Sequence, residues 1–315
     1  GSTGINWLVS GNTGTITNTG IVSLSSSAGI SVSQTGLYGN YGIGKNTDNL
    51  TVASLSQTSN VVNVGSGVDD SVVVGSLSSI YGTNQRNVVV GRGSYSISAS
   101  GSRGIIIGTG SGINLTTGSY NVLVGDTCGV GISSGSNCVA IGPDLLGANN
   151  PSSTVVIGSG TFSQSNSVAI GSNAGPQSSA SGPNLVAIGL QAGNAQSNNS
   201  SVWIGSSAGQ GISTNVKSDY CVGVGSNCIR NGDSNGNISY STAIGFVSGY
   251  NLSNGQRNVF IGAQSGFGCS TGASNITIGY SAGMSSLTTQ SNRLYIHNSD
   301  QNSTVSLLYG EFDNN

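Results

Sequence analysis

The run Asn87-Val-Val-Val-Gly91 is one copy of a motif that returns about fifteen times along the chain. Its glycines fall at Gly44, Gly65, Gly75, Gly91, Gly108, Gly125, Gly142, Gly158, Gly171, Gly189, Gly205, Gly225, Gly245, Gly262 and Gly279. From Gly75 onward most intervals are 16 to 18 residues, with one of 13 and two of 20. A short, nearly constant period means that each repeat is one small unit that buries its apolar side only by stacking on its neighbours. The chain is therefore expected to be a solenoid, with any function carried on its surface or ends.

Three residues before each glycine from Gly65 onward stands a β-branched residue, from Val62 through Thr242 to Ile276. A second stands one residue before it, from Val64 to Ile278. Side chains two apart on a strand share a face, and β-branched residues suit a pleated surface. The three-and-four spacing of a helix is absent. The regular pair reads as the packed side of a short strand. The variable residue between its members (Val73, Ile106, Leu123, Ala140, Ala169, Trp203, Gly223, Phe260, Thr277) reads as the opposite side, turned to solvent or to a neighbouring subunit.

After the glycine, a small residue and a second glycine recur, as in Cys128-Gly129, Ala174-Gly175, Ala208-Gly209 and Ala282-Gly283. They predict close backbone approach at a turn, so that each coil holds two short strands and two bends. Stacked at ~4.8 Å, about fifteen coils make a rod on the order of 70 Å long. The expected fold is all-β, a parallel β-solenoid or β-roll. In a lone ribbon Val73, Val89, Ile106, Leu123 and Val156 would form a wet apolar face, and such faces mark subunit interfaces. A homotrimeric fibre is the expected assembly. Residues 1–40 read as an N-terminal β shaft, 41–283 as the repeat body and 284–315 as a C-terminal capping segment, its run Val305 to Tyr309 packing at the threefold axis.

Composition excludes several function classes. Eight basic residues in 315 make no stripe for nucleic acid. No apolar run reaches the roughly 18 to 20 residues that span a bilayer, so membrane insertion is not expected. Five cysteines, an odd number with no CxxC and a single histidine, fit neither a disulfide framework nor a zinc site. They read as free, buried packing residues, and neither metal nor cofactor is expected.

Glycoside hydrolysis needs two carboxylates about 5 to 10 Å apart. Asp126 and Asp144, one and two residues after successive glycines, could approach across coils, but turn aspartates bonding local backbone explain them more simply. His297 is the lone histidine and reads as packed. No triad or phosphate loop is visible, and the chain reads as non-enzymatic. Sugar binding is the sharper expectation. Tyr120, Tyr220 and Tyr240 share the slot five residues before the glycine with Arg86, Arg103 and Arg257, which favours a packed ladder. The two longest coils carry inserted loops, Gly211 to Asp219 and Ile229 to Ser239, and binding residues favour loops on a rigid scaffold. Trp203, Tyr220, Tyr240 and Tyr250 lie near these loops and are the candidate receptor-binding residues. Ice binding is disfavoured, because the variable column holds Trp203, Phe260 and Gly223 where a regular threonine ladder would be needed.

The run Ser167-Val-Ala-Ile-Gly-Ser-Asn-Ala-Gly175 resembles the repeat of trimeric autotransporter adhesin heads, which implies a left-handed parallel β-roll in a homotrimer. Its coils are longer and less regular than that family's. Thr15 to Leu24 resembles the threefold β-structured shafts of phage fibres. Arg293-Leu-Tyr-Ile-His-Asn298, with Leu307-Leu-Tyr-Gly-Glu-Phe-Asp313, resembles the segment before the self-cleaving C-terminal chaperone of endosialidase-type fibres, which would follow residue 315. The resemblance implies a fibre on a virion surface, held with other virion proteins and attaching to a host glycan or receptor. A bacterial trimeric surface adhesin head is the alternative, and a polysaccharide-degrading tail spike a more distant one.

Overall fold

The computed structural model describes residues 62–64, 72–75, 86–94, 103–146, 150–160, 165–176, 184–194, 200–211, 217–230, 236–299 and 306–312. The expected shaft, residues 1–40, and the first glycine of the column lie outside them. The strands are β1 Val62–Val64, β2 Val72–Val74, β3 Val88–Val90, β4 Ile105–Ile107, β5 Val122–Val124, β6 Val139–Ile141, β7 Val155–Ile157 and β8 Val168–Ile170. They continue with β9 Val186–Ile188, β10 Val202–Ile204, β11 Val222–Val224, β12 Thr242–Ile244, β13 Val259–Ile261, β14 Ile276–Ile278, β15 Arg293–Ile296 and β16 Leu308–Glu311. All join one sheet in chain order.

Neighbours from β2 to β15 pair in parallel and in register, so that Trp203 stands between Ala187 and Gly223. The described chain is an all-β parallel solenoid. The stack begins later than the glycine column suggests, because β1 pairs antiparallel with β2. At the far end β16 turns back antiparallel on β15. Tyr309 packs there on Tyr295, ring centroids 5.1 Å apart. Leu307 is 83% exposed, and Val305 lies outside the described residues. Of the expected capping run, residues 308 and 309 belong to the outer strand of this hairpin.

The strand faces are the reverse of the expectation. The middle residue points inward: Val89, Ile106, Leu123, Ala140, Val156, Trp203, Phe260 and Thr277 are buried, while Ile105 is 42% and Ile244 41% exposed. The inward side chain packs directly against the returning chain, so the variable column is set by local volume. Trp203 fills the space over Gly223 and Gly209, and a Cβ at either glycine would strike its indole. Phe260 does the same over Gly249 and Gly266. The small residues after each glycine are thus the opposite wall of the core.

The second expected strand of each coil is absent among the described residues, apart from the single bridge Lys217–Asn237. That side is held by coil-to-coil backbone bonds such as Gly112 N to Cys128 O and Ser253 N to Ser270 O, both 2.8 Å. Its corners use left-handed backbone, with φ positive at every slot residue from Arg103 to Ser274. The column glycines run from φ 121° at Gly279 to 149° at Gly125. A Cβ on Gly225 would collide with the carbonyl of Gly245 one coil on, which is why the column admits no other residue.

Next to each strand, buried polar side chains tie successive coils. Asn258 Oδ1 accepts from Asn275 N at 2.9 Å while its Nδ2 donates to Gly272 O at 2.8 Å, and Asn275 repeats the pattern with Arg293 N and Gln290 O. Ser167 and Ser201 accept in the same way from Leu185 N and Cys221 N. Buried polar groups are tolerated here because each meets a partner.

Candidate functional site

The four candidate receptor-binding residues do not come together as one patch. Trp203 is fully buried in the core and cannot offer its ring to a ligand. Its size marks a packing position, where aromatic bulk near long loops had suggested a surface role. Tyr220 and Tyr240 are 52% and 57% exposed, and their rings stack at 5.2 Å with planes 10° apart. Tyr250, five residues after its glycine instead of five before, stacks on Phe267 at 5.4 Å and accepts a bond from Arg230 Nη1 at 3.4 Å. There are therefore two aromatic ladders on different corners of the coil. The tips of the inserted loops, residues 212–216 and 231–235, lie outside the described residues.

The shared tyrosine and arginine slot is a ladder in fact. Its backbone is left-handed, with φ 58° at Tyr220 and 62° at Tyr240, and this corner throws the side chain outward onto its neighbour one coil away. In the N-terminal half the Arg103 guanidinium lies 5.0 Å over the Tyr120 ring and donates to its hydroxyl. Stacked rings and cation–π pairs in such a slot stabilise adjacent coils.

The candidate carboxylates behave as corner residues. Asp144 Oδ1 accepts from the Thr127 hydroxyl, and the Asp144 amide donates to the Asp126 carbonyl at 3.0 Å. Asp48, Asp69, Asp70, Asp233, Asp300 and Asp313 lie outside the described residues. His297 Nδ1 accepts from Leu307 N at 3.1 Å, tying the C-terminal hairpin. The five cysteines are free and buried. Burial pushes the thiols of Cys128, Cys221, Cys228 and Cys269 up to about 12 and raises Cys138 as well, so none is a nucleophile at neutral pH. Among the described residues no group of three His, Cys, Asp or Glu side chains is placed to hold a metal ion.

The residues read from the sequence as the packed side of each strand form a surface instead. The outward residues of β3 to β14, valine or isoleucine except for Thr242, form two parallel columns along the sheet, part-exposed at every rung and uncharged throughout. Leu190, Phe246 and Tyr280, each directly after a column glycine, and Tyr120, Tyr220 and Tyr240, each five residues before one, are exposed as well. The signal of this surface in the sequence was the regularity itself: a column held to β-branched residues of similar size lies on an open face, whereas a column filling a narrow core must vary, as Trp203 and Gly223 do. Comparison with protein-family models, curated proteins and solved structures gave no match.

Proposed function

We propose that this chain is one protomer of a homotrimeric, non-enzymatic fibre on a virion surface, which attaches the particle to a glycan or receptor of its host. The observation that carries the reading is the continuous Val/Ile face. A monomer would hold a strip of β-branched side chains against water along the whole ladder, and strips of that extent are characteristic of subunit contacts. Three copies with this face turned to a common axis remove it from water and leave the coil corners outside. The adhesin-like repeat and the fibre-like C-terminal segment support a trimer and a virion, with a bacterial surface adhesin as the alternative setting. The corners would then present each aromatic ladder three times, and a weak site gains avidity from that repetition. Light scattering of the full chain tests the assembly. Attachment is tested with Tyr220→Asn and Tyr240→Asn, chosen because asparagine accepts positive φ. Folded variants that bind cells as the parent does would remove the Tyr220–Tyr240 patch from the function.

A further inference from the structure

The Tyr220–Tyr240 stack has unlike neighbours at its two ends. The preceding rung is Ser200, short and half-buried, so the ladder lays no long side chain over the outer face of Tyr220. The following rung is Arg257, exposed, and among the described residues its guanidinium has no hydrogen-bond or ion-pair partner. Arg103 shows that an arginine of this ladder can be engaged within it, since its guanidinium is held by Tyr120. Arg257 is not so engaged. Lys217, exposed and bridged through its backbone to Asn237, places a second cation three residues before Tyr220. Asp219, the carboxylate next to Tyr220, is half-buried.

We propose that this edge, formed by Tyr220, Tyr240, Arg257 and Lys217, binds an acidic glycan. The inference rests on the attachment reading above and names its ligand class. A pyranose has an apolar C–H face that lies on an aromatic ring, and a sugar carboxylate is matched by the planar two-pronged donor of arginine. Rungs are ~4.8 Å apart, and the Tyr220 and Tyr240 rings cover each other, so the open face of Tyr220 and the Arg257 guanidinium are two rungs apart along the rod, about the length of two sugar residues. A neutral glycan would use the rings and leave Arg257 idle. A nucleic-acid strand would stack as well, but needs a basic track along its backbone, and eight basic residues in the whole chain do not provide one.

The test uses the full chain on an array of uronic-acid and sialic-acid oligosaccharides, each beside its carboxyl-reduced counterpart, with single-stranded oligonucleotides as controls. Acidic members are expected to bind and their reduced counterparts to fail. Arg257→Asn, which suits φ 58° at that corner, should weaken binding about tenfold or more, as loss of a charge-assisted pair implies. Tyr220→Asn should do the same and Arg103→Asn should not. Arg257→Lys, which keeps the charge and loses the fork, gives an intermediate loss and serves as second variant if Arg257→Asn lowers the melting temperature. Absence of any acidic binder, binding unchanged by both Arg257 variants, or preference for oligonucleotides overturns the proposal. Neutral glycans bound through Tyr220 and indifferent to Arg257 overturn the acidic ligand while leaving the attachment function standing.

Discussion

Two kinds of residue fix the coil, and each can be tested singly. The glycine column is the stricter. Gly225→Ala puts a methyl group against the Gly245 carbonyl at φ 135°, and we expect a loss of about 3 kcal/mol in thermal or denaturant unfolding. A melting curve that superimposes on the parent's would refute the close approach. The asparagine column is second. Asn258→Ala breaks one acceptor and one donor bond in a buried site and should cost about 2–4 kcal/mol, with Asn258→Ser losing less because serine serves as the acceptor elsewhere in the column. The thiols add a pH dependence. Burial raises the thiols of Cys128, Cys221, Cys228 and Cys269 from an ordinary 9.0 to about 12 in the fold. Above pH 9 the unfolded chain sheds these protons and the folded chain keeps them. Stability is therefore retained below pH 9 and falls as pH climbs from there towards about 12. Replacing the four by alanine should flatten that fall, and in the native protein at pH 8 a thiol reagent should find none of them.

At the scale of the coil, the strands were legible and their orientation was not. Every strand from β2 to β14 occupies the three residues before a column glycine, because β-branched residues two apart followed by an obligatory glycine leave the backbone little else to do. Which side faced in could not be read from hydrophobicity, since all three strand positions are often apolar. The clue was covariation of size: Trp203 beside Gly223, Phe260 beside Ala243 and Thr277. This yields a prediction for the pair. Trp203→Ala should cost about 3–5 kcal/mol through the cavity it leaves, and Gly223→Ala about 1–3 kcal/mol by overpacking. The two together should cost less than their sum, which a double-mutant cycle measures. Strict additivity would mean that the two side chains do not share a space. Of the candidate site, the tyrosine and arginine ladder was readable from the shared slot, while Trp203 was misplaced because aromatic bulk fills cores as readily as it lines binding surfaces. The second strand was over-read: small residues mark close packing, and here the packing comes without strand geometry.

For the whole molecule the exposed ladder of valine and isoleucine is decisive. Ile141 and Ile244 are both 41% exposed and point away from the core, so lysine at both should leave the coil folded while placing charge in any face-to-face contact between copies. The expected result is an unchanged far-ultraviolet spectrum with a fall in molar mass. The most direct measurement is the molar mass of the unmodified chain in dilute solution, by sedimentation or light scattering. The account predicts a species of three times 31.2 kDa. A stable, soluble particle of 31.2 kDa would mean that the apolar ladder faces water by itself, and would contradict the fibre.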